Sequence, residues 1–173
     1  MTGQNARDYL QLVDRSTLGR RYDVTPVFGD FDAFSALLDD SIELCREIEF
    51  DTVAAIDALG FILGAGIAVR SEKPLVPVRK GGKLPVEVHE AQFVDYTGDQ
   101  KSLEIRVDAL DPSNRVLLVD EWVETGAQVK AAVSLIERQG ATVAGVLAIN
   151  IDDSEAVRQL REKYPILAIS QDL

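Results

Sequence analysis

The sequence predicts an α/β protein built on a mostly parallel, doubly wound sheet with helices on both faces. Three observations predict it. Short, nearly continuous apolar runs recur at 52–56, 75–78, 116–119, 143–149 and 166–169, a length that suits strands buried on both faces. Most are separated by helix-length segments, the alternation that produces right-handed crossovers and parallel pairing. The 173 residues are 46% hydrophobic and 27% charged, with no repeat, low-complexity tract or linker, as expected of one domain spanning 1–173 with a real core.

In chain order, residues 6–13 suit a short helix. The clearest helical signal covers 32–48. Phe31, Phe34, Leu37, Leu38, Ile42, Cys45 and Ile48 recur at steps of three and four, with Asp39, Asp40, Glu43 and Glu47 between them. Cys45 lies on the apolar stripe and reads as a small core residue rather than a nucleophile. The strand at 52–56 is followed by Asp57, a turn and an apolar helix over 60–69. The strand at 75–78 leads into a more polar, less regular stretch, 79–106, with a hairpin. After the strand at 116–119, a helix over 127–139 stops at Gly140, a C-terminal cap. A strand at 143–149, a helix at 154–163 and a strand at 166–169 complete the order. Ligands of such sheets bind beyond the C-terminal strand ends, which directs attention to the residues after Ile56, Val78 and Val119.

The formal net charge of −11 excludes a general nucleic-acid binder, because phosphates are repelled unless held locally by backbone N–H groups, a metal ion or placed cations. The single cysteine permits no intrachain disulfide and is compatible with a reducing compartment. Residues 1–14 lack the apolar core of a signal peptide, and no apolar run reaches the length of a membrane span. The expectation is a soluble, cytoplasmic protein with no nucleic-acid or membrane partner. One histidine, His89, and one cysteine cannot make a usual zinc ligand set.

The most informative stretch is Val116-Leu-Leu-Val-Asp-Glu-Trp-Val-Glu-Thr-Gly-Ala-Gln128. A buried strand delivers two adjacent carboxylates, Asp120 and Glu121, and a turn with Thr125 and Gly126 opens a helix. A helix N-terminus offers free N–H groups to an anion. Adjacent carboxylates suit sugar hydroxyls or a Mg²⁺ ion. A phosphate cradle beside diol acceptors describes a sugar-phosphate site; helix capping by Thr125 and dipole stabilisation by the acids are the alternative. The dinucleotide fingerprint fails because Val69 stands at the third glycine position after Gly64 and Gly66. No glycine precedes Gly82 at P-loop spacing.

Residues 116–128 resemble the phosphoribosyl-diphosphate (PRPP) motif of type I phosphoribosyltransferases. The resemblance extends in order to other segments and is closest to the adenine-specific branch. These segments are Tyr22-Asp-Val-Thr-Pro26 with Phe31-Asp-Ala-Phe34, Asp57-Ala-Leu-Gly-Phe61 with Gly64, Arg79-Lys-Gly-Gly-Lys-Leu-Pro85, and Leu103-Glu-Ile105 with Asp108-Ala-Leu110. The resemblance implies a flexible hood over roughly 80–106 and Mg²⁺-dependent transfer of phosphoribose from PRPP to a purine base, adenine favoured, releasing diphosphate. It implies that Asp120 and Glu121 hold the ribose hydroxyls and possible Mg²⁺ contacts. Glu124, Thr125, Gly126, Ala127 and Gln128 would surround the 5′-phosphate, and Arg79 and Lys83 would approach the diphosphate. Asp95 and Tyr96 would form an acidic-aromatic pair in the hood, with Asp95 as proton donor to the leaving purine nitrogen. Tyr22 is placed to stack on the base, and a homodimer is implied.

The chain departs from the family pattern where Leu59 replaces an arginine of the diphosphate loop. It departs again where Ala127 replaces a glycine, at a cost of about 1–3 kcal/mol if a positive φ is required there. Gln128 replaces a hydroxyl donor. Glu124 stands where 6-oxopurine enzymes carry an acid able to exchange a proton with the base, which makes it a candidate general acid/base. Alternative functions are therefore 6-oxopurine transfer, transfer to an unusual base or reverse cleavage of a nucleotide, or a catalytically weak PRPP- or nucleotide-binding regulator. Trp122 can line the site or serve packing.

Overall fold

A computed structural model describes residues 8–19, 21–95, 97–170 and 173. In chain order it contains a 3₁₀ turn (Asp8–Leu12), α1 (Thr25–Gly29), α2 (Phe31–Leu44), β1 (Thr52–Ile56), α3 (Leu59–Ser71), β2 (Leu75–Lys80), β3 (Val88–Val94) and β4 (Gln100–Arg106). There follow β5 (Arg115–Val119), β6 (Trp122–Val123), α4 (Ala127–Arg138), β7 (Thr142–Ile151), α5 (Glu155–Arg161) and β8 (Ile166–Ser170). The sheet runs β3-β4-β2-β1-β5-β7-β8, with the two-residue β6 continuing the β5 edge of β7. β2, β1, β5, β7 and β8 are mutually parallel; β4 runs antiparallel to β2, and β3 antiparallel to β4.

The expected mixed, mostly parallel sheet is present, and its burial follows from it. Val53, Ala55, Leu117 and Val119 face α2, α3 and the 3₁₀ turn. Ala54, Ile56, Val116 and Leu118 face α4, α5 and the hood base at Leu103 and Ile105. Every residue of β1 is buried because both faces are covered.

Asp30 caps α2 by accepting the Ala33 N–H at 2.9 Å. The helix ends earlier than the periodicity predicts. Residues 45–47 form a turn that still directs Ile48 inward, onto β7 at Gly145. Cys45 is buried, and burial pushes its thiol up to about 12, in keeping with a core residue. Gly64 lets α3 lie against β1, because a Cβ there would fall 2.5 Å from Ala55 Cβ. Gly140, at φ +84°, ends α4 as expected. α1 and β6 escape the sequence reading because five and two residues carry no periodicity. Among the described residues no helix is long and apolar enough to cross a membrane.

Gly64→Ala should lower the urea midpoint by the equivalent of about 1–3 kcal/mol with an unchanged m-value. An unchanged midpoint would mean that α3 can move off β1 without cost.

Candidate active site

Because β2, β1 and β5 are parallel neighbours, their C-terminal ends lie side by side and deliver Arg79–Lys80, Asp57 and Asp120–Glu121 to one edge of the sheet. A cleft of about 820 Å³ opens there between the hood hairpin and the loop leading into α4.

Asp120 forms the floor and is 1% exposed. One carboxylate oxygen accepts the Glu121 backbone N–H at 2.9 Å, and the other accepts Gln128 Nε2 at 3.1 Å. The start of α3 presses on it from behind: a Cβ on Gly60 would fall 3.1 Å from Asp120 Cα. Burial pushes the Asp120 carboxyl well above the ordinary aspartate range. Glu121 pushes the same way, against the Glu121 backbone N–H and the Arg21 guanidinium. Glu121, 8% exposed, is ion-paired with Arg21 across a hundred residues of sequence.

The loop into α4 turns on Gly126, at φ +78°. A Cβ there would meet Val157 Cγ2 at 3.2 Å, so both torsion and space select glycine. Thr125 accepts the Ala127 N–H on its hydroxyl at 3.3 Å, and its carbonyl accepts Ser154 Oγ at 3.0 Å, tying the loop to α5. Ala127 is the first residue of α4 and has no positive φ, so the strain expected from its Cβ does not arise. Gln128 does donate, as its amide allows, but to Asp120.

The structure brings Asp95, Asp120, Glu124, Thr125, Gly126 and Gln128 onto one cleft. Asp95 sits at the hairpin tip, accepting Thr97 Oγ1 at 2.6 Å and the N–H groups of Thr97 and Asp99 at 2.9 and 3.1 Å. The Thr97 hydroxyl, with those N–H groups and Lys101, holds its carboxyl below the usual range against the opposing effect of desolvation. These contacts fix the Asp95 carboxylate in the hairpin turn on the edge of the cleft. Tyr96 lies outside the described residues.

Arg79 and Lys83 stand at the hood base beside the cleft. Arg79 Nε is 3.6 Å from Asp57 Oδ2, and Nη1 donates to the Lys83 carbonyl at 3.1 Å. Arg79 Nε is buried with no hydrogen-bond acceptor among the described residues. Tyr22 stands behind the cleft wall, edge-on to Trp122 at 6.0 Å, with Arg15 over its ring. It supports Trp122, which lines the cleft and donates Nε1–H to Asp152 at 3.1 Å. Leu59 packs with the apolar cluster under α3.

Sequence reasoning missed Lys80, Phe93 and Lys101 as lining residues, and the pairing of Arg21 with Glu121. Arg21 adjoins a recognised motif, but Phe93 and Lys101 become neighbours only through the hairpin register that pairs them. With Lys80 and Arg21, Lys101 places local positive charge on the cleft of an otherwise acidic chain.

Among the described residues no three His, Cys, Asp or Glu side chains form a metal cage. Asp120 and Glu121 nevertheless fit Mg²⁺, an ion bound through one or two carboxylates plus substrate phosphates and water.

This architecture is that of the type I phosphoribosyltransferases. None of the protein-family models matches the chain. Individual proteins do match. The chain is 42% identical over 123 residues to the adenine phosphoribosyltransferase of Salinispora tropica, covering 71% of this chain and 65% of that one. It is 36% identical over 149 residues to that of Rubrobacter xylanophilus, covering 85% and 80%. The crystal structure of adenine phosphoribosyltransferase from Thermoanaerobacter pseudethanolicus superposes with a TM-score of 0.87 at 29% identity, covering 95% of this chain and 98% of that one. The chain belongs to the adenine phosphoribosyltransferase family.

A buried acid whose folded-state pKa lies above its unfolded value gives stability below the unfolded value that is lost as pH rises through the folded one. Asp120→Asn removes that loss, and the Gln128 amide can turn to present its oxygen to the new N–H₂. The variant should melt roughly 2–4 °C higher at pH 8, equivalent to about 1 kcal/mol. The gain should shrink as pH falls toward 4. A lower melting point at pH 8 would contradict the desolvated carboxylate.

Proposed function

We propose that this cleft transfers phosphoribose from PRPP to adenine, giving the nucleoside monophosphate and diphosphate in purine salvage. The observation that carries the reading is the meeting, on one sheet edge, of a buried acidic pair, a glycine-turned helix entrance and cations from the hood. Asp120 and Glu121 have lone pairs left to accept the ribose hydroxyls. The first N–H groups of α4, reached through Thr125, Gly126, Ala127 and Gln128, meet the 5′-phosphate. Arg79 and Lys83 meet the diphosphate.

Cleavage of the anomeric bond leaves positive charge on the ribose and negative charge on the departing diphosphate. The hood cations stabilise the second, and the acidic pair faces the first. Mg²⁺, held through the substrate and the Asp120–Glu121 carboxylates, would add charge neutralisation at the phosphates. Asp95 donates a proton to the purine nitrogen when the base leaves and takes that proton back in the nucleotide-forming direction, while the hood keeps out water. Tyr22 backs Trp122 against the base. A second reading, 6-oxopurine transfer, is favoured by one observation: Glu124 lines the cleft at the loop entrance, where it can exchange a proton with a ring nitrogen.

We further propose a cytoplasmic homodimer. Phe31 and Val69, 83% and 78% exposed on α2 and α3, give such a dimer apolar surface to cover. Light scattering should return twice the 18.9 kDa chain mass; a monomer at micromolar concentration would remove the dimer.

With PRPP and Mg²⁺, rapid nucleotide and diphosphate formation is expected from adenine and slower formation from hypoxanthine and guanine. Asp120→Asn with Glu121→Gln should cut kcat/KM by roughly 10²–10³-fold while the fold persists. Preference for a 6-oxopurine, lost in Glu124→Ala, would select the second reading. No product from any base would overturn both.

A further inference from the structure

Glu104 lies inside β4, is 3% exposed, and belongs to none of the groups assigned above. Its carboxylate accepts three successive backbone N–H groups from the neighbouring loop: Gly82 at 2.8 Å, Lys83 at 2.6 Å, and Leu84. Arg79 is its register partner across the β2–β4 ladder, and Arg79 Nη1 holds the Lys83 carbonyl of the same loop. Gly81 donates to the Ser102 carbonyl at 3.0 Å, and a Cβ on Gly81 would fall 2.1 Å from Ser102 Oγ. The loop is therefore pressed onto β4 with its backbone donors turned inward.

A buried carboxylate is costly unless it is satisfied, and this one stands close to where a diphosphate is expected, as a like charge. Tying down a turn does not require a charge, since a serine or asparagine side chain can hold one or two N–H groups. Three consecutive N–H groups would themselves make an anion-binding concavity. Occupied by Glu104, they leave phosphate recognition to the side chains of Arg79 and Lys83. Burial pushes the Glu104 carboxyl up, but the N–H groups of Leu84, Gly82 and Lys83, with Arg79, outweigh it and hold the group below its ordinary range. It is thus a fixed anion.

We propose that Glu104 is a positioning residue for the leaving group: it fills the backbone nest at 82–84 and so holds Arg79 and Lys83 where they meet the diphosphate. The inference rests on the reading that PRPP binds in this cleft. Asp57, 3.6 Å from Arg79 Nε, anchors the other side of the same guanidinium and links the loop after β1 to the hood base.

The test uses the full chain with Glu104→Ala and Glu104→Gln, comparing KM for PRPP, KM for adenine, product inhibition by diphosphate and binding of the nucleoside monophosphate. Glu104→Ala should raise KM for PRPP and the inhibition constant of diphosphate about tenfold or more, as expected of a displaced phosphate ligand. KM for adenine and monophosphate affinity should change less than twofold, a split that general loss of fold would not give. Glu104→Gln keeps the shape and one acceptor oxygen. Its amide N–H₂ faces a backbone donor, so it should still raise KM for PRPP and the diphosphate inhibition constant severalfold, less than the alanine variant does, and it carries the test if the alanine variant unfolds. A uniform change in all four constants, or lower thermal stability with unchanged diphosphate inhibition, would overturn the positioning role while wild-type turnover still supports the cleft. If the wild-type protein neither turns over PRPP nor binds diphosphate, the underlying reading fails first, and this inference with it.

Discussion

A carboxylate held out of water at the end of a central parallel strand is the constraint on which the rest of this site depends. Asp120 is buried because β5 has paired strands on both sides, the entrance of α3 behind it and Gln128 of α4 above it. Each contact sets a demand elsewhere. Gly60 must lack a Cβ, the α4 entrance must turn through a positive φ at Gly126, and Glu121 must find Arg21. Two adjacent buried acids repel, and they persist only because a backbone N–H, an amide and a guanidinium surround them.

The same economy operates in the hood. A chain with eleven excess negative charges cannot rely on a general field to hold a polyphosphate, so its cations are placed singly by hydrogen bonds. Arg79 is fixed between Asp57 and the Lys83 carbonyl, and Lys83 stands in a loop whose backbone is bound to Glu104. Where the family pattern loses an arginine at Leu59, a guanidinium still reaches the loop after β1, delivered by the neighbouring strand β2.

The departures of the phosphate loop also take on a physical meaning. Ala127 is harmless because the positive φ falls one residue earlier, on Gly126. Gln128 is absorbed into the support of Asp120. Asp95 is held in place by the hydrogen bonds of its own turn. None of these follows from residue type alone, since each depends on which backbone torsion or neighbour the side chain meets.

What the sequence by itself determined is the sheet, its order of elements and the position of the acidic motif. Buried strands are written in contiguous apolar residues, such as Val53 to Ile56 and Val116 to Val119, and Gly140 and Ser154 mark helix ends through local torsions and caps. These are short-range effects, legible because each depends on neighbours in the chain. Only the tertiary structure decided that Arg21 would neutralise Glu121, that Phe93 and Lys101 would share a wall with Glu124, and that Glu104 would bind the loop at 82–84. Those contacts depend on hairpin register and on which strand ends lie side by side, and long-range packing sets both.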